Sequence, residues 1–206
     1  NGINRHHFDA APTADDAKAR LGLQGRLVLG FTGFVRDWHG VDRIIDWMAT
    51  PQAPAHTHLL MVGDGPVREA LEAQAARLGL RERVTFTGVI HRDQVPAHVA
   101  AFDIALQPAV TPYASPLKLM EYLALGKAIV APAVPNLLEV LTDGVNACLF
   151  AEGRPGQLEA ALTRVCEDTA LRERLAQGAS DTIDRLQLTW LGNAGRVVAL
   201  AQEAAR

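Results

Sequence analysis

Lys118 and Glu121 lie one helical turn apart in the stretch Thr111–Ala131, TPYASPLKLMEYLALGKAIVA. Ser115 suits an N-cap, and Pro116 suits the first helical position, which needs no amide hydrogen. Lys118 then falls in the first turn, where the helix dipole disfavours a cation unless an anion lies nearby. Leu117, Leu119, Met120, Leu123 and Ala124 supply apolar faces, and Gly126 ends the helix before a strand at Ala128–Ala131. An exposed helix N-terminus, a cation and a carboxylate together suit a phosphate and a sugar hydroxyl. The plain reading of Glu121 is a solvated surface residue, but its neighbours are largely apolar and a charge there needs a partner.

Other loops carry weaker chemistry. In Thr32–Gly40, Gly33 and Gly40 allow close backbone approach, and Arg36 and His39 are placed to face an anion; a surface turn with a packed Trp38 is the alternative. Gly63-Asp64-Gly65-Pro66 is not the Gly-x-Gly-x-x-Gly dinucleotide pattern and reads as a tight strand-to-helix turn with Pro66 opening the helix. Backbone groups in Gly88-Val89-Ile90-His91 suit the edge of a base or a simple turn. Glu139, after Pro135-Asn136, reads as a helix-capping carboxylate. The histidines His6, His7, His56, His58, His91 and His98 show no metal spacing, and His56 and His58 read as surface residues at a strand start.

These loops need a scaffold that brings them together. Apolar runs at Leu27–Phe34, Leu59–Val62, Val84–Phe86, Ile104–Leu106, Ala128–Ala131 and Ala147–Phe150 alternate with helical patterns at Val41–Ala49, Val67–Leu78, Gln94–Ala101, Pro116–Leu125 and Leu137–Leu141. Short buried strands separated by helices predict an α/β fold: a Rossmann-like, doubly wound parallel sheet of about six strands. From Gly156 the chain reads as helical in two or three segments to Arg206, giving one domain with a helical tail. Ligands of such sheets bind at the carboxyl ends of the strands, where the loops above belong.

Composition narrows the partners. The 206 residues are 49% hydrophobic and 21% charged with a formal net charge of -3, an ordinary globular balance that gives no sign of a nucleic-acid partner. Cys148 and Cys166 match no metal spacing and read as reduced thiols. No apolar run approaches the roughly 20 residues of a membrane span. The chain opens on Asn1-Gly2 rather than Met, as a fragment of a longer protein would.

Six stretches in this order resemble the C-terminal, nucleotide-sugar-binding domain of retaining glycosyltransferases of the GT-B fold, the group 1 or family 4 enzymes. They are Asn1-Gly2-Ile3-Asn4, Gly63-Asp64-Gly65-Pro66, Val84-Thr85-Phe86-Thr87-Gly88, Glu121 through Lys127, Glu139 through Asn146, and Trp190 in the final helix. The resemblance implies one half of a GT-B enzyme across residues 1–206, with residues 1–25 as interdomain linker and lead-in, 155–206 as a helical tail, and an N-terminal acceptor domain outside the chain. The implied reaction transfers a sugar from a nucleoside diphosphate sugar to an acceptor with retention.

Residue roles follow from the same likeness. Glu121 matches the second glutamate of a Glu, seven residues, Glu pattern and would hold the donor ribose. The helix start at Ser115, Pro116, Leu117, Lys118 and Leu119 would hold the diphosphate, and Val89 and Ile90 would meet the base. Tyr113 stands where the first glutamate, near the donor sugar, is expected. Phe34 and His39 replace the family's Arg and Lys of its Gly-Arg and Lys-Gly pairs; some relatives carry a similar Trp-His-Gly turn and Ser-Pro-Leu-Lys, and there Arg36, His39 and Lys118 take over the anion-binding work, with Gly33 beside them at the donor. No Asp-x-Asp sequence is present, in keeping with a metal-independent, cofactor-free site, and no catalytic residue is assigned. The likeness implies a cytoplasmic protein, leaves peripheral contact with the inner membrane face to the missing domain, and predicts that this chain alone binds donor weakly without turnover. A non-catalytic nucleotide-binding module and a nucleotide-sugar epimerase of the same fold stay open. An NAD-dependent oxidoreductase is disfavoured by the missing glycine fingerprint.

Overall fold

The apolar run that begins at Leu27 has no polar face because helices cover it on both sides. Leu27, Leu29 and Phe31 pack into one buried cluster, and Val28 between them packs into a second on the opposite face. In the computed structural model, which describes residues 1–205, the elements in chain order are α1 (His6–Asp9), α2 (Ala14–Leu21), β1 (Leu27–Thr32), α3 (Val41–Met48), β2 (Thr57–Val62), α4 (Arg68–Arg77), β3 (Val84–Phe86), α5 (Val95–Ala100), β4 (Ile104–Leu106), α6 (Leu117–Ala124), β5 (Ala128–Pro132), α7 (Pro135–Leu138), β6 (Cys148–Phe150), α8 (Gln157–Glu167), α9 (Thr169–Arg185) and α10 (Trp190–Ala204). The sheet predicted at about six strands has six, and the tail predicted as two or three helical segments holds three among the described residues; its last residue, Arg206, lies outside them.

All strand pairs are parallel, in the order β3-β2-β1-β4-β5-β6. The order reverses between β1 and β4, so a crevice opens beyond their carboxyl ends. One helical layer holds α3, α4 and α8, and the other holds α5, α6 and α9. Gly30 in the middle of β1 admits the Phe102 ring; a Cβ there would lie 2.1 Å from it.

Residues 1–25 hold more structure than a polar lead-in. Thr13 caps α2 by accepting from the Asp16 amide at 3.2 Å, and Ile3, Phe8, Ala17 and Leu23 are buried in the second cluster. The Ile3 amide donates to Leu188 O at 2.9 Å, which ties the opening of the chain to the start of α10. In contrast, α10 has no buried residue, and Trp190, Leu191, Val197, Val198 and Leu200 are exposed.

Three local readings need correction. His58 is buried, not a surface residue: β2 is covered on both faces, and the ring finds the Thr85 hydroxyl of β3 at 2.8 Å. Burial, with Arg26 and Arg83 nearby, lowers its pKa to about 4. Pro66 precedes the helix rather than opening it, because α4 starts at Arg68. Glu139 sits at the carboxyl end of α7, where a carboxylate cannot cap amides.

Candidate functional site

The loops after β1, β2 and β3 are laced together at the carboxyl edge of the sheet. The amides of Gly33 and Val35 donate to Val62 O at 2.9 Å and Asp64 O at 2.7 Å. Gly63 has φ +128, and a Cβ there would lie 2.3 Å from Gly33 O; one on Gly65 would lie 2.0 Å from Val35 O. The Gly63 amide in turn donates to the Thr87 hydroxyl at 3.1 Å, and Gly63 bridges Gly88. Gly-Asp-Gly-Pro is therefore a scaffold: its glycines let the Gly33–Gly40 loop press against it.

Opposite this loop stands α6. Its buried Tyr122 hydroxyl accepts from the Thr32 amide at 2.9 Å, which fastens the end of β1 to α6. Burial pushes the Tyr122 pKa up, so the phenol keeps its proton. One turn earlier, Lys118 Nζ lies 3.6 Å from the centre of the Phe31 ring, and a Cβ on Gly33 would touch its Cε and Nζ at 3.6 Å. Lys118 makes no ion pair and no hydrogen bond among the described residues, and burial lowers its pKa to about 7 despite Glu121. His39 is buried edge-on to Phe31 and against Trp38, which is itself half-exposed. Its Nδ1 accepts from the Arg36 amide at 2.9 Å. Burial first, and then Lys118, lower its pKa to about 4, so at neutral pH it is a neutral ring with its proton on Nε2. Arg36 is exposed and stacks on Phe34 at 5.2 Å.

Glu121 borders a cavity of about 100 Å³ with His7, Arg92, Leu117, Met120 and Trp190. Burial raises its pKa, and Lys118, His7 and Arg92 oppose the rise. The loop between β4 and α6 hangs from two side-chain amides. Asn136 Nδ2 donates to Thr111 O at 3.1 Å and Ala114 O at 2.6 Å, and Gln107 Nε2 donates to Ala109 O at 2.6 Å. Ser115 does not cap α6. Its carbonyl and hydroxyl accept from Asn1 Nδ2 at 2.7 and 2.9 Å, and Pro116 holds the N-cap position with no side-chain cap. The first amides of α6 are thus left without a side-chain acceptor, as at an anion site.

The crevice thus joins Gly33, Arg36, His39 and Lys118 on one side of α6 and brings Leu117 and Glu121 to the cavity. Leu119 is buried in the core and its amide is held by Pro116 O at 3.1 Å. Tyr113 is 88% and Val89 82% exposed on loop tips, while Ile90 packs against the second cluster. Phe31, Tyr122, Asn136, His7 and Arg92 were missed by sequence reasoning. Only Tyr122, a polar aromatic on an otherwise apolar helix face, left a usable signal. No group of three or more His, Cys, Asp or Glu is placed to hold a metal ion among the described residues, and no helix there is long and apolar enough to cross a membrane.

The sequence pattern of the family described as "Glycosyl transferases group 1" matches residues 26–168. The chain belongs to that family. Among the group 1 glycosyltransferases it is 31% identical over 174 residues to a 2-deoxystreptamine glucosyltransferase of Streptomyces kanamyceticus, covering 82% of this chain and 45% of that protein. It is 33% identical over 174 residues to the lipopolysaccharide core biosynthesis glycosyltransferase LpsD of Rhizobium meliloti, covering 83% and 46%. The chain therefore spans about half the length of these relatives. In structure it superposes on Anabaena HepE, solved with UDP and glucose, with TM-score 0.83 and 24% identity over 98% of this chain and 56% of HepE. Against WaaG, a glycosyltransferase involved in lipopolysaccharide biosynthesis, the TM-score is 0.78 with 26% identity over 94% of this chain and 53% of WaaG. The fold is one Rossmann-like half of a GT-B glycosyltransferase, and the helical tail belongs to it.

Proposed function

We propose that this chain is the donor-binding half of an enzyme that moves a hexosyl group from a nucleoside diphosphate sugar to an acceptor, with retention at the anomeric carbon. One observation carries the reading: Lys118, which has no ion-pair partner among the described residues, lies over the Phe31 ring beside Gly33, one turn from Glu121 at its cavity. The start of α6 at Ser115–Lys118, with the Lys118 side chain, holds the diphosphate, with Arg36 and the Nε2–H of His39 as further donors beside Gly33; Leu119, its amide held by Pro116 O, takes no part. Glu121 accepts from the ribose, the backbone at Val89 and Ile90 meets the base, and Tyr113 borders the donor sugar. Charge that builds on the diphosphate as the sugar leaves meets donors already in place. HepE solved with UDP-glucose supports a nucleotide-sugar donor.

The acceptor side belongs to a preceding domain. The relatives are about twice as long, and α10 presents an uncovered apolar surface at Trp190, Leu191, Val197, Val198 and Leu200 that such a domain would bury. In this division residues 1–25 lead in from the linker and 155–206 form the tail. The protein works in the cytoplasm, and any contact with the inner membrane face runs through the acceptor domain. Alone, the chain binds donor weakly and does not turn over. Calorimetry with UDP- and GDP-sugars tests the site: binding to one class, weakened at least tenfold by Glu121→Ala, is expected. A folded chain that binds none sinks the donor-site reading.

A further inference from the structure

α2, α9 and α10 are capped in the same way. Thr13 accepts from the Asp16 amide at 3.2 Å, Asp168 from the Leu171 amide at 2.8 Å and Thr189 from the Gly192 amide at 3.0 Å. α6 has the residue for such a cap, Ser115, but not the bond, because Asn1 Nδ2 holds the serine's carbonyl and hydroxyl oxygens at 2.7 and 2.9 Å. We propose that Asn1 is a positioning residue of the donor site: it keeps Ser115 from capping α6 and so leaves the amides of Leu117 and Lys118 open to the diphosphate. The proposal rests on the donor-site reading and adds the residue that holds that site open.

The open and capped states differ by one backbone rotation. Pro116 stands at ψ 118, outside the helical range. At a helical ψ of about -40 it would become the first residue of α6, a position that suits proline. Ser115 would then be the N-cap, and a capping hydroxyl accepts from the second or third helical amide, here Leu117 or Lys118. Neither amide has an acceptor among the described residues as the chain stands. Cap and diphosphate therefore compete for the same two donors. Asn1 decides the competition from a fixed position. Its carbonyl accepts from Asn193 Nδ2 at 2.9 Å, Ile3 bridges Thr189, and the Ile3 amide donates to Leu188 O at 2.9 Å. Gly2 between them is buried, and a Cβ there would lie 2.8 Å from both the Trp190 nitrogen and Asn193 Nδ2. The Asn1 side-chain amide cannot flip, since its oxygen would then face Ser115 O.

A cap of ordinary strength shifts such a competition roughly fivefold. Asn1→Ala should therefore weaken UDP-glucose binding to the 206-residue chain by about that factor in calorimetry. Adding Ser115→Ala to Asn1→Ala should recover most of the loss, because alanine cannot cap. Gly2→Ala, which drives the opening of the chain off α10, should act like Asn1→Ala and be relieved in the same way. Unchanged binding in Asn1→Ala, or a loss that Ser115→Ala does not relieve, overturns the proposal and leaves the donor site standing. Hydrogen exchange reads the cap without any ligand. The Leu117 and Lys118 amides should exchange about fivefold more slowly in Asn1→Ala than in the parent chain, and Asn1→Ala/Ser115→Ala should lose that protection. Exchange that is no slower in Asn1→Ala overturns the proposal. Slower exchange in a chain that binds no sugar nucleotide keeps the hold of Asn1 on Ser115 and sinks the donor-site reading alone.

Discussion

At the amino end of the sheet, Lys127 and Lys18 are fully engaged: Lys127 with Ala100 O, and Lys18 with Asp103 and Arg26 O. Asp103 also accepts from the Val28 amide at 2.7 Å, so one carboxylate ties α2, β1 and the start of β4. At the carboxyl end, Lys118 sits over an aromatic ring with no acceptor among the described residues, and its carboxylate neighbour Glu121 faces a cavity instead. The same residue type thus serves stability at one end and is left available at the other. Buried charge without a partner is costly, and it concentrates where a ligand completes the set.

Breaking the satisfied end should have the largest effect on stability. Asp103→Ala leaves the Lys18 ammonium and the Val28 amide without their acceptor, and about 3 kcal/mol of stability should go, read by chemical denaturation. UDP-glucose affinity of the folded fraction should stay within a factor of about two, because the carboxyl-end loops are untouched. A large affinity loss would show that the two ends are not independent.

Gly65→Ala attacks the scaffold of the open end. The added methyl would overlap Val35 O, so the Gly33–Gly40 loop must move, at roughly 2 kcal/mol. Arg36 and His39 move with it, so sugar-nucleotide binding should weaken together with stability. Tyr122→Phe is milder. It removes the acceptor of the Thr32 amide and should cost about 1 kcal/mol in thermal or chemical unfolding.

What could be read from sequence follows the same division. The strands were legible because a parallel sheet covered on both faces leaves nearly continuous apolar runs, such as Leu59–Val62 and Ala128–Ala131. Lys118 was legible because a cation in the first turn of an apolar helix violates a local rule. Features that depend on distant partners were not. His58 looks like a strand-start surface residue until β3 brings Thr85 beside it, and Ser115 looks like a cap until Asn1 takes its hydroxyl. Phe31 reads as one more core residue of β1, and nothing local announces that Lys118 will stand on its ring.

The smallest expected effect compares the two lysines directly. Burial lowers the pKa of Lys118 to about 7 and of Lys127 to about 8, against 10.5 for a free side chain. Between those values and 10.5 the unfolded chain binds more protons than the folded one, so each lysine makes stability rise with pH across that window. Below the folded pKa the penalty is complete, and above 10.5 it is gone. Lys118→Met should therefore raise stability most near pH 6, with the gain shrinking from about pH 7 upward; Lys127→Met should show the same fading about one pH unit later. The Lys127→Met gain should be the smaller, because that variant also gives up the hydrogen bond to Ala100 O, whereas Lys118 has none to lose. Saturating UDP-glucose should then reverse the sign for Lys118→Met alone, since only that site gains from a charge once an anion is bound. Identical pH profiles for the two variants, with and without UDP-glucose, would remove the distinction between the two ends of the sheet.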